Sequence, residues 1–212
     1  MRTRPPHPTP NAPGPWWILG AVVALCTGLE ALAQASELGL TDGRRWRGAL
    51  IVNLGFWPGL LENWAANYAV QPWSMFVTYA FVHADFWHMA GNMGVLAWLG
   101  PPVARAVGTG RLIVLWFLCA AAGGLVFAAL ASGPTPMVGA SGALFGLLGA
   151  DAALRQRADP NARRVAQAAV LFAVLNVAGY VMQDGLLAWQ AHLGGFLAGL
   201  ALGASMRMRR TP

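Results

Sequence analysis

Charge is what this chain has least of. Asp, Glu, Lys and Arg together make up 10% of its 212 residues, against 57% hydrophobic residues and a mean hydropathy of +0.50. A soluble domain carries about 25% charged residues, so this chain has too few to cover a globular surface in water and reads as an integral membrane protein. Lysine is absent: all 14 basic residues are arginine. They are scattered between apolar runs, with no basic stripe and no nucleic-acid-binding motif, which excludes nucleic acid as a partner. Cysteine is nearly absent. Cys26 and Cys119 both sit inside apolar runs, which excludes a disulfide framework and leaves them as small packing residues. No repeat with a period of 20 to 50 residues is present. Matched halves with interrupted helices, the mark of a transporter, are missing as well.

What the chain does have is a succession of apolar runs. A spanning helix needs about 20 mostly apolar residues, and six runs qualify: 15–34, 85–104, 111–132, 139–154, 165–182 and 187–206. Lipid offers no partner to free backbone groups, so these must be helices and the fold class is an all-α polytopic bundle. The start, "MRTRPPHPTPNAPGPWW", is too polar and proline-rich for a signal peptide. Residues 1–14 read as a disordered cytoplasmic tail, 15–206 as the membrane domain and 207–212 as a basic cytoplasmic tail. Segment 35–84 mixes tryptophan, proline and charge and is too long for a plain connector, so it reads as a structured first loop lying in the membrane interface and bracing the fold. With the N-terminus in the cytoplasm, the inner segments hold Arg2, Arg4, Arg105, Arg111, Arg155, Arg157, Arg163, Arg164, Arg207, Arg209 and Arg210, and the outer ones only Arg44, Arg45 and Arg47. That asymmetry predicts both termini inside, in a membrane read as the bacterial inner membrane. The second, fourth and sixth helices then all enter from the outer side, which gathers "HADFWHMAGN", "GASG" and "WQAHLGG" at one depth, with a site opening outward.

Those three stretches carry the chemistry. Helix four, from Gly139 to about Leu154, spans about 24 Å at 1.5 Å per residue, less than the ~30 Å hydrocarbon core. Ser141, in its first turn, is therefore set in a recess beneath the outer surface. The free N–H groups of that turn, at Ser141 and Gly142, together with the helix dipole, favour an oxyanion. On helix six, His192 shares a face with Gly195, Gly199 and Gly203. Helix four offers Gly142, Gly146 and Ala150 as a matching smooth face, and close approach of the two faces brings the imidazole to the serine. An imidazole there can take the serine proton and return it to the leaving amine. The eight carboxylates are Glu30, Glu37, Asp42, Glu62, Asp85, Asp151, Asp159 and Asp184. None is well placed to orient His192, which points to a Ser–His dyad. On helix two, His88 and Asn92 are four residues apart and share a face, where both can donate to an oxyanion, while His83 lies ahead of the helix and braces the loop. A three-histidine metal site of His83, His88 and His192 is the competing chemistry, but H-E-x-x-H is missing and Asp85 is poorly spaced to replace its glutamate, so neither a metal nor a cofactor is expected.

Taken together, "GASG", "AHLGGFLAG" and "HADFWHMAGN", in this order within six spans, resemble the rhomboid intramembrane serine proteases over about residues 15–206. "Trp46-Arg47" in the first loop and the turn "GTGRLI" fit the same pattern. The resemblance implies Ser141 as nucleophile and His192 as general base. It implies oxyanion stabilisation by Asn92, His88 and the Ser141 N–H, supporting roles for Gly139 and Phe145, and membrane-protein substrates cut near the outer end of a spanning helix. It alone suggests a gate between helices two and five. Two positions depart from the family pattern: Phe145 replaces a tyrosine beneath the catalytic histidine, and Ala104 stands where many members have a glutamate. The alternative reading is a non-proteolytic relative that binds membrane proteins; such relatives lose the serine or the histidine, and this chain has both. Membrane lipids are its other expected partners.

Overall fold

The structure is a computed structural model that describes residues 16–41, 43, 45–131 and 133–206. The readings of 1–14 and 207–212 as tails lie outside the described residues. Helix, 3₁₀ turns included, accounts for 78% of the described residues and no strand forms among them, so the architecture is all-α. Among the described residues eight α-helices follow one another: α1 (Trp16–Glu37), α2 (Trp46–Leu54), α3 (Gln71–Thr78), α4 (Phe86–Val107), α5 (Thr109–Leu130), α6 (Ser141–Ala158), α7 (Arg164–Met182) and α8 (Trp189–Ser205). The six apolar runs of the sequence become α1, α4, α5, α6, α7 and α8.

Among the described residues, three stretches are long and apolar enough to cross a membrane by length and composition: Trp17–Glu37, Thr109–Leu130 and Pro160–Met182. The others fall short for physical reasons. α4 carries His88, Asn92, Arg105 and the internal Pro101 and Pro102. At 18 and 17 residues, α6 and α8 reach only about 26–27 Å. Protein shields α6 instead: Leu147 and Ala150 have no exposure, and it packs against α4, α5, α7 and α8. α7 is the opposite case, with Ala168 its one fully buried residue and Val170, Val174, Val177, Val181 and Met182 turned outward.

Small residues let α6 and α8 meet backbone to backbone. A Cβ on Gly195 would land on the Gly142 carbonyl, one on Gly199 on the Gly146 carbonyl, and one on Gly203 would lie 2.7 Å from the Ala150 oxygen. No side chain fits in that seam, which is what brings the two helices into register. α4 and α5 are joined through Gly108 alone, at φ 86°, a left-handed conformation that favours glycine.

Segment 35–84 is mostly structured, holding α2, α3 and 3₁₀ turns at Pro58–Leu61 and Tyr79–Phe81. Arg47 clamps it to α1 with a bidentate pair to Glu30 at 2.9 and 3.0 Å and a further bond to Glu37. Gln71, fully buried, donates to the Val52 carbonyl at 2.8 Å and accepts from the Asn67 N–H at 2.7 Å. Trp64 and Trp73 remain exposed.

Candidate active site

Ser141 is the first residue of α6, two later than the sequence suggests. Gly139 has φ 116° and cannot be helical, and the helix instead runs on to Ala158. The run leading to the serine is held by its own backbone donors. Met137 and Phe56 exchange both N–H···O bonds at 2.9 Å, the Gly139 N–H donates to the Tyr79 carbonyl at 2.9 Å, and the Ala140 N–H donates to His83 Nε2 at 3.5 Å. The first loop therefore sets where α6 begins. His83 is buried ahead of α4, receives Arg47 at its carbonyl and stacks edge-on against His88 with ring centroids 5.2 Å apart.

His192, buried three residues after Trp189 in α8, places Nε2 2.7 Å from Ser141 Oγ. Phe145 lies against the imidazole at 4.5 Å between centroids and in turn meets Phe172 of α7 at 5.2 Å. On the other side, a Cβ at Gly139 would come within 2.6 Å of His88 Cε1 and 3.6 Å of Asn92 Nδ2, so both side chains of α4 crowd the residue two before the serine. Asp85 caps α4 by accepting from the His88 N–H at 2.9 Å, which fixes the first turn that carries His88. Asn92 Nδ2 is buried and lacks a hydrogen-bond partner among the described residues. A buried donor left without a partner costs about 1–3 kcal/mol, so an acceptor arriving beside Ser141 would meet a donor already stripped of water. Gly142 has to be glycine for a further reason: a Cβ there would lie 2.6 Å from the Tyr79 hydroxyl, which donates to the Ala120 carbonyl.

The structure thus gathers Ser141, His192, His88, Asn92, Gly139, Gly142 and Phe145 at one end of the bundle, with His83 behind them and Gly195 and Gly199 in the α6–α8 seam. Among the described residues no three His, Cys, Asp or Glu side chains converge as a metal-ligand set. The weak point of the sequence reading is the orienting group. The sequence offers no well-placed carboxylate, and the group that meets His192 Nδ1 is an amide: Asn176 Oδ1, at 2.8 Å. A signal for it existed, since Asn176 interrupts the apolar run "VLFAVLNVAGYVM" and a polar side chain inside such a run marks a functional position. It stands six residues before the end of α7, about 9 Å in at 1.5 Å per residue, near the depth of His192 on the helix that follows. Tyr79 gave no such signal.

Comparison with known proteins finds relatives of this chain. A family model described as a Rhomboid domain matches residues 70–209. The chain is 35% identical over 138 residues to Rhomboid protein 1, mitochondrial, of Saccharomyces cerevisiae, covering 58% of this chain and 39% of that protein. It is 34% identical over 134 residues to RHOMBOID-like protein 5 of Arabidopsis thaliana, covering 61% of this chain and 42% of that one. The matched stretches therefore span about two-fifths of the length of these curated relatives.

Proposed function

Since the chain belongs to the rhomboid family, we propose that it is an intramembrane serine endopeptidase, cutting peptide bonds in the spanning segments of other membrane proteins, with residues 15–206 as its membrane domain. The observation that carries this reading is the 2.7 Å contact between Ser141 Oγ and His192 Nε2 at the start of a helix enclosed by protein. Oγ attacks the scissile carbonyl carbon while Nε2 takes its proton. The carbonyl oxygen becomes an oxyanion facing the Ser141 N–H, the unpartnered Asn92 amide and His88, at the positive end of the α6 dipole. The imidazolium then protonates the leaving amine, and the N-terminal part of the substrate stays as an ester on Ser141. Water, deprotonated by the same Nε2, hydrolyses that ester and frees the serine. The scissile stretch has to unwind first, because an intact helix ties up its carbonyls in its own hydrogen bonds.

The arginine distribution supports a topology with both termini cytoplasmic and the site opening to the outer side of a bacterial inner membrane. The test is a cleavage assay in liposomes with a model spanning substrate. The parent cleaves, and Ser141→Ala and His192→Ala each lose activity by ~10⁴-fold or more, as acyl-transfer enzymes do when nucleophile or base is removed. Cleavage that survives Ser141→Ala ends the reading, and cleavage abolished by a chelator replaces it with a metal mechanism.

A further inference from the structure

We infer that Asn176 is a positioning residue that holds the proton of the His192 imidazole on Nδ1, so that the bare nitrogen of the ring is the one facing Ser141. This rests on the protease reading for its consequence, but its geometry stands separately. The Asn176 amide has two ends, and one is committed: Nδ2 donates to the Phe172 carbonyl at 2.8 Å. A carbonyl oxygen cannot donate, so the NH₂ end has to be there and Oδ1 has to be the atom turned to the ring. Oδ1 lies 2.8 Å from Nδ1. Two lone pairs at that distance repel, so Nδ1 carries the hydrogen. A neutral imidazole has one N–H, which leaves Nε2 unprotonated and able to accept from Ser141 Oγ at 2.7 Å. The opposite tautomer would set lone pair against lone pair at Asn176 and turn Nε2 into a donor, which cannot abstract the serine proton.

The ring has little freedom to escape this choice, with Phe145 across its face and Phe172, whose carbonyl fixes the amide, packed on Phe145. Asn176 is half-buried and edges a cleft of about 490 Å³ between α7 and α8, lined also by Val177, Tyr180, Trp189 and Leu193. α7 keeps only Ala168 fully buried, so replacing the amide leaves the bundle core untouched.

The test reads the ring nitrogens directly. The full chain is labelled with ¹⁵N-histidine in detergent, and the His192 signals are identified by their loss in His192→Gln. The parent shows Nδ1 protonated and Nε2 bare. In Asn176→Leu, which keeps the volume and removes the acceptor, the proton moves to Nε2 in a substantial fraction of molecules. In Asn176→Asp, which offers an acceptor oxygen whether ionised or protonated, it stays on Nδ1. In the cleavage assay the Leu variant loses at least about tenfold in kcat with KM unchanged, within the ~10⁴ limit set by a wrong histidine tautomer in a serine protease, and the Asp variant recovers most of the loss. A parent ring protonated on Nε2, a Leu variant with an unchanged tautomer or with parental kcat, or equal losses in Leu and Asp overturns the assignment. The nitrogen spectrum needs no turnover, so this inference fails or stands apart from the protease reading, which falls if Ser141→Ala still cleaves.

Discussion

Ser141 and His192 lie 51 positions apart in sequence and meet at 2.7 Å; the polar residues around them supply hydrogen-bond capacity and the glycines make room. Asn92 belongs to the first kind. Its buried Nδ2 has no partner among the described residues, so Asn92→Ala should change resting stability little while costing ~10²–10³ in kcat, the effect of one lost oxyanion donor. Steady-state cleavage in liposomes measures this, and a loss confined to KM would assign Asn92 to substrate binding instead. Gly139 belongs to the second kind, since its φ of 116° and the His88 ring leave no space for a Cβ. Ser141, His192, His88 and Asn92 were legible in the sequence because polar residues are conspicuous in apolar runs and their helical spacing puts them on one face. Asn176 is equally conspicuous, but its role is not legible, because a lone amide in an apolar run does not say which side chain of another helix it meets. Tyr79 was illegible: an aromatic in a short irregular segment has no periodicity to say that it points inward.

At the scale of elements, the α6–α8 seam decides whether the site exists. Gly195→Ala drives a methyl into the Gly142 carbonyl, next to the nucleophile. Overpacking of this kind costs about 1–3 kcal/mol, and it also pushes His192 away from Ser141. Gly94→Ala on α4 is the control: nothing lies within 4 Å of its Cβ, and replacing a helical glycine gains about 0.5–1 kcal/mol. Thermal unfolding in detergent should therefore move in opposite directions for the two variants, with cleavage lost only in Gly195→Ala. A Gly195→Ala protein as stable and active as the parent would contradict a seam this tight. The seam was readable as a four-residue recurrence of small residues. The helices inside 35–84 were not, because α2 and α3 have nine and eight residues and are held by side-chain bonds to distant carbonyls, which no local pattern reveals.

At the scale of the whole molecule, scarcity of charge was enough to read an all-α membrane bundle. Helix four was legible as shorter than the hydrocarbon core, but α4 and α8 also fall short of an autonomous span, α4 through its polar residues and internal prolines and α8 through its 17 residues. The first loop ties this bundle to its site through Arg47, Phe56, Tyr79 and His83. Burial, aided by the nearby His88, pushes His83 down to about 4, so it is neutral in the fold, whereas the unfolded chain takes up a proton near the ordinary histidine value of about 6.5. Between those two values the unfolded state binds more protons, and stability is lost as pH falls from about 6.5 towards 4. The unfolding temperature should drop between about pH 7 and pH 5, and His83→Gln, which keeps an acceptor for the Ala140 N–H, should flatten that slope; an unchanged slope would place its origin elsewhere.

The central claim is that this buried hydroxyl, and no other group, attacks a carbonyl. It is tested most directly by treating the reconstituted, cleavage-competent chain with a fluorophosphonate and mapping the adduct by mass spectrometry. A single adduct on Ser141, lost in both Ser141→Ala and His192→Ala, is the predicted result; an adduct on another residue, or one that persists in Ser141→Ala together with cleavage, contradicts it.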